Sequence, residues 1–177
     1  MNRLGSLLLA ILAALPTLAC EAPVTAAVVK DILRVKDRGD VVFVKQTRGV
    51  LRPPVAELTA ELRSTVIAEE IVADFESRNA RSVELDAENA IDLNAYAGAA
   101  GVDWVRLDRD FPGTDAVIEL SRPGCDSQSA FAIVQARYRL RQERFPDEGR
   151  LFHLEKLTNG TWRVQRMVVA TAEMFAQ

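Results

Sequence analysis

Two cysteines, Cys20 and Cys125, and one histidine, His153, carry the most reactive side chains in this 177-residue chain. A cysteine nucleophile needs a base to make its thiolate, and the only imidazole available to Cys125 is that of His153. No serine or cysteine stands near His153 at a motif spacing, which argues against a triad. His153 lies between Phe152 and Leu154 in an alternating segment, so it is predicted as an exposed strand histidine. Two cysteines supply neither a zinc site nor a disulfide framework. They leave one pairing, Cys20 with Cys125, if both sulfurs are free.

Other polar groupings invite chemistry and fall short of it. Counting Asp108 as the first position of a calcium loop puts Asp110 third, Gly113 sixth and Glu119 twelfth. Pro112 then occupies the fifth position without a side-chain oxygen, and Glu119 falls inside a predicted strand. Asp86, Glu88 and Asp92 are an acidic cluster in which no spacing singles out an acid and a base. Arg137, Arg139 and Arg141 fall on one face of a strand and form a candidate binding face for an anionic ligand or an envelope partner. The plainer reading pairs them with Glu119 and Glu155 on neighbouring strands. Asn159-Gly160-Thr161 matches a glycosylation sequon and reads better as a hairpin turn. No cluster amounts to a catalytic or metal-binding signature, and nothing calls for a cofactor.

The first nineteen residues speak of address. Arg3 precedes an apolar run from Leu4 to Leu15, Pro16 breaks it, and Thr17-Leu18-Ala19 sets a small residue before Cys20. That is the layout of a bacterial-type secretory signal, and the run is too short for a permanent span of roughly 17–25 residues. Two fates are open to Cys20. It matches the acceptor of a lipoprotein signal, except that Thr17 stands where such signals usually carry Leu, and lipidation would anchor the chain to a membrane face. Alternatively the leader is removed after Ala19, or further on near Ala26, and the chain is released into the periplasm. Either way the expected mature N-terminus lies between residues 20 and 27.

Residues 20–177 suit one domain with a real core. Hydrophobic residues make up 49% and charged residues 27% of the chain, a globular composition. The net charge of −3 lacks the footprint of a general nucleic-acid binder. Apolar residues at Val24, Val28, Ile32 and Val35 predict a helix with one buried stripe. A strand follows over Val41–Val44, then a short helix through Val55, Leu58 and Leu62. Another helix begins after Ser64-Thr65, with Ile67, Ile71 and Phe75 stacked four apart and Asn79 near its end. Ser82–Leu85 reads as a short strand, and Trp104, Leu107 and Phe111 as one or two helical turns. The last third is a run of strands. Ala116, Ile118 and Leu120 share one face, and Arg122-Pro123-Gly124 turns the chain. Ala130–Leu140 then alternates, with Val134, Ala136 and Tyr138 inward and Arg137 and Arg139 outward. Residues 142–149 read as a polar loop. Helices first and strands last predict an α+β domain, with N-terminal helices on one face of a C-terminal antiparallel sheet of about four or five strands.

The final hairpin tests the register. A two-residue turn at Asn159-Gly160 would set Lys156 opposite Arg163. A three-residue loop, Thr158-Asn159-Gly160, sets Glu155 against Arg163, Leu154 against Val164 and Phe152 against Arg166, and it turns His153 and Glu155 to the arginine face. The second register pairs opposite charges. It predicts a type I turn closed by Gly160 at positive φ.

Several segments resemble a family of uncharacterised exported bacterial domains. They are Phe75-Glu76-Ser77-Arg78-Asn79, Trp104 through Phe111-Pro112-Gly113, Glu119-Leu120-Ser121-Arg122-Pro123-Gly124, and Leu154-Glu155-Lys156 with Asn159-Gly160-Thr161-Trp162. The resemblance spans most of residues 24–170 and implies an exported domain without an assigned activity. The chain departs from the pattern at Pro123 and Cys125, where Val and Phe are expected, and it lacks the paired Cys-Gly segments of many relatives.

The reading that follows is a non-catalytic exported cell-envelope or periplasmic binding or accessory module. The alternatives are a hydrolase with an unrecognised carboxylate or thiol site, and a small-ligand carrier with a pocket between sheet and helices. The strand phase is testable. Val134→Asp buries an unpaired charge and is expected to cost at least about 3 kcal/mol in a urea titration, whereas a harmless substitution would put the phase one residue out.

Overall fold

The structure, a computed structural model, describes residues 5–34, 40–47, 67–87, 90–99, 101–128, 130–141 and 148–170, with side chains from Cys20 onward. It is an α+β fold. Its helices are α1 (Gly5–Arg34), α2 (Glu69–Asn79) and α3 (Trp104–Asp110). Its strands are β1 (Asp40–Val44), β2 (Ala90–Ile91), β3 (Ala97–Gly98), β4 (Gly101–Val102), β5 (Thr114–Leu120), β6 (Gly124–Cys125), β7 (Phe131–Leu140), β8 (Glu148–Lys156) and β9 (Trp162–Ala170). The expected helix through Val55, Leu58 and Leu62 lies outside the described residues, as do Val35 and most of the expected loop at 142–149.

The main sheet has the order β2-β1-β5-β7-β8-β9, with β6 paired to β7, and β3 and β4 form a separate hairpin. Five of the six strands read from the sequence are present. The sheet is larger than the sequence suggests because β2 and β6 join it, each too short to leave a periodicity. It is also mixed rather than purely antiparallel, since β1 runs parallel to both β2 and β5. The expected strand at Ser82–Leu85 is reduced to a single bridge between Gln46 and Glu84.

Alternation along the strands builds two apolar faces. Phe43, Ala116, Ile118, Leu120, Val134 and Phe152 face the α1 stripe of Val24, Val28 and Ile32. The opposite phase carries Ile133 and Leu151 against Ile71 and Phe75 of α2. It also carries Val42, Val44 and Val117 against Leu107 of α3. Where one helix-covered face was expected, the helices divide between both. The cause is legible in β1, where Val42 and Val44 are as apolar as Phe43, the pattern of a strand buried on both sides.

The final hairpin takes the three-residue loop. Gly160 N–H donates to the Leu157 carbonyl at 2.8 Å and Gly160 has φ 80°. Glu155 lies opposite Arg163 and Leu154 opposite Val164. Beyond Leu154 a bulge shifts the register, so His153 meets Arg166 and Phe152 meets Met167 rather than Arg166. A bulge adds one residue to one strand and leaves no trace in the alternation of the other.

Gly124 marks a close approach between α2 and the sheet. A Cβ there would lie 2.6 Å from the Ile71 carbonyl oxygen and 2.7 Å from Phe75 Cα. Backbone cannot move aside cheaply, so Gly124→Ala is expected to cost about 1–3 kcal/mol, read as a lower urea midpoint with an unchanged slope.

Candidate functional site

A dense polar junction sits where α1, α2 and the Ser121–Cys125 connection meet. Glu21 follows Cys20 on α1. Arg122 grips it with two parallel bonds, Nε to Oε1 and Nη2 to Oε2, both 2.8 Å. Arg78 on α2 reaches the same carboxylate at 3.3 Å and binds Asp74 Oδ2 at 2.7 Å. Asp74 Oδ2 also accepts the Cys125 N–H at 2.8 Å. Buried Asn79 closes the frame: its amide donates to the Phe75 and Arg122 carbonyls, and its Oδ1 accepts the Arg122 N–H at 2.8 Å. The hydrogen bonds from Arg122 hold the Glu21 carboxyl below its ordinary range, although burial pushes the other way. Beside this clamp Cys20 and Cys125 form a disulfide with a Cα–Cα distance of 6.8 Å. Cys20 therefore carries no free sulfur here, and a disulfide and a thioether lipid on that atom exclude each other.

The clamp borders a cleft of about 900 Å³ between α1 and residues 83–87. Ala22, Ala26, Val29 and Leu33 form the α1 wall, Val83, Leu85 and Ala87 the other, and Arg122 and Pro123 also line it. Three acidic side chains, Glu21, Glu84 and Asp86, and three basic ones, Lys30, Arg34 and Arg122, line the same space. Lys45 holds Glu84 at 2.7 Å. Thr47 pins the 83–87 segment: its N–H and Oγ1 donate to the Val83 carbonyl, and Val83 N–H donates back to Oγ1.

The arginine row is not the open face that the alternation implies. Arg139 and Arg137 are half-buried, and Arg139 binds the fully buried Glu119 at 3.0 Å. Arg141 binds Asp108 at 2.8 Å. The plain reading of cross-strand pairing thus accounts for Glu119, while Glu155 takes Arg163 instead. These residues are half-covered because their sheet face lies between the patches under α2 and α3. The candidate calcium loop separates in space. Asp108 accepts the Gly113 N–H and Asp110 accepts the Tyr96 hydroxyl, whereas Glu119 is sealed in the sheet. Among the described residues no group of three or more His, Cys, Asp and Glu is placed to hold a metal. Of the acidic cluster, Asp92 caps the turn at Asn94 and Glu88 lies outside the described residues.

His153 corrects the sequence reading outright. It is 3% exposed, with its ring stacked on Phe131 at 5.8 Å. Alternation assigned it to the outer face, but that face is itself packed, and periodicity does not show what covers a face. The sequence reading also missed Glu21, Arg78 and Asn79 as a unit. Glu21, the neighbours Arg78 and Asn79, and their partner Arg122 lie in three distant segments of the chain, and only the resemblance of the Phe75–Asn79 and Glu119–Gly124 segments drew attention to two of those three.

Burial depresses the His153 pKa, and the charge of Arg166 adds to it, while Gln165 and Glu155 pull upward. The unfolded chain then binds the proton first. This residue's contribution to stability is present above its unfolded pKa of about 6.5 and is lost as pH falls from there toward the folded value. Urea midpoints measured from pH 7.5 down to pH 5 are expected to fall, roughly in the range where imidazole titrates, with a smaller fall in His153→Gln. Equal slopes in the two proteins would refute the assignment. No family model, curated protein or solved structure matches this chain.

Proposed function

We propose that this chain is an exported, non-catalytic envelope or periplasmic module, and that its working element is the cleft between α1 and residues 83–87. The observation that carries this reading is the character of the cleft. Its size of about 900 Å³ is that of a small-molecule site. Its walls are mainly aliphatic, and its acidic and basic side chains balance. Such a lining favours an uncharged, largely apolar ligand over an anion or a cation.

Two of the three carboxylates along the cleft argue against hydrolysis. Glu21 is locked between two arginines with its pKa lowered, so it makes a poor general acid. Glu84 is engaged by Lys45. The arginine row, with Arg139 and Arg141 already committed to carboxylates, gives less support to an anionic partner at the sheet.

The neutral fluorophore N-phenyl-1-naphthylamine tests the cleft directly. Saturable emission enhancement is expected with the folded protein. Ala26 lies on the cleft wall and is exposed, so Ala26→Phe fills the space without touching the core. It is expected to weaken binding roughly tenfold, about 1.4 kcal/mol, with unchanged far-UV circular dichroism. No saturable binding, or unaltered binding by Ala26→Phe, would remove the cleft from the proposal.

A further inference from the structure

We infer that Cys20 enters the mature protein as half of a buried disulfide and not as a lipid acceptor, so that the leader is removed at or before the Ala19–Cys20 bond and the chain is released. Three observations converge on this. First, Cys20 and Cys125 are bonded to each other and are only 1% and 2% exposed. A lipid acceptor must present its sulfur to the membrane surface, and here that sulfur points into the core among residues packed on α1. Second, the next residue is immobilised, since Glu21 is held by Arg122 and Arg78. Unpacking Cys20 would pull on a half-buried carboxylate and leave two arginines without it. Third, Val24 is fully buried against the sheet. Cleavage near Ala26 would discard Cys20, Glu21 and Val24 together.

The helix itself supports a start close to Cys20. α1 runs unbroken from Gly5 to Arg34, yet Pro16 and Pro23 fall inside it. An interior proline forfeits a helix hydrogen bond, whereas one in the first turn forfeits nothing. Removal of the leader puts Pro23 in the first turn and sets Glu21 near the positive end of the helix dipole.

The chemistry balances through the oxidising compartment. The Cys20 and Cys125 thiols lose two protons and two electrons as their S–S bond forms. A disulfide of a protein oxidant accepts them and becomes two thiols.

The full chain is expressed with its leader in an exporting Gram-negative bacterium and fractionated. The expected product is a soluble periplasmic chain whose N-terminus is Cys20 or lies upstream of it. It should be lighter than its dithiol form by two hydrogens. It should take no alkylating agent before reduction and two equivalents after. Cys125→Ser should free Cys20 for alkylation and lower the thermal midpoint. A diacylglyceryl mass on Cys20, with a single alkylatable thiol and recovery in the membrane fraction, would overturn the inference. So would a mature chain beginning beyond Cys20. The inference rests on export but not on the cleft. An uncleaved, fully reduced chain in the cytoplasm would overturn export itself, and fluorophore binding would still report on the cleft.

Discussion

The bidentate pair between Glu21 and Arg122 joins two segments 101 residues apart and sets where the first helix lies. Its worth is chiefly geometric. Both groups are partly exposed, so solvent discounts the Coulombic gain, and replacing such a pair by apolar residues is often neutral. A planar guanidinium meeting a carboxylate through two bonds nevertheless fixes both distance and angle. Arg78 and Asp74 extend the grip to α2, and Asn79 fastens the backbone on either side of Arg122. The disulfide beside them limits how far the same segments separate in the unfolded chain. One layer on each side of the sheet is thereby registered to one turn of the chain.

That turn also explains why α2 sits as close as it does. Gly124 pairs with Ile133 on the sheet and leaves open the volume that Phe75 and the Ile71 carbonyl occupy. Its neighbour Cys125 pairs with Ala132 and turns the other way, toward α1. Two consecutive residues on β6 therefore serve opposite layers, as the period of a strand demands. Further along, the second face of the sheet carries two apolar patches, under α2 and α3, with Glu119, Gln135, Arg137 and Arg139 between them. A buried carboxylate is tolerable there because Arg139 on the next strand binds it.

The same arrangement shapes the cleft. One wall is the outer surface of a helix whose inner surface is core, so Val24 and Val28 are buried while Ala22, Ala26 and Leu33 line open space. The other wall is a short extended segment held to Thr47 and Lys45. The ion-pair clamp and the cleft share Glu21 and Arg122, which places firmly held polar groups beside a largely apolar opening.

Much of this was readable from the residues. The four-residue spacing of Val24, Val28 and Ile32, the alternation through Val134, Ala136 and Tyr138, and the charge pairing that selected the hairpin loop at Gly160 are all local patterns, and local geometry reads them in the same way wherever the segment lies. Other features depend on what a segment meets. Alternation says that His153 turns away from Phe152, but only the packed second face makes it a buried histidine. Charge pairing foresaw Glu119 as a partner of the arginine row, but only the packing of that face leaves Arg137 and Arg139 half-buried. Two-residue strands such as β6 carry no period, and a bulge beyond Leu154 adds a residue that no pattern announces. Glu21, Arg78 and Arg122 are ordinary charged residues in sequence. They become a clamp because a helix at one end of the chain and a turn a hundred residues later are brought within 3 Å, a distance that only the folded sheet decides.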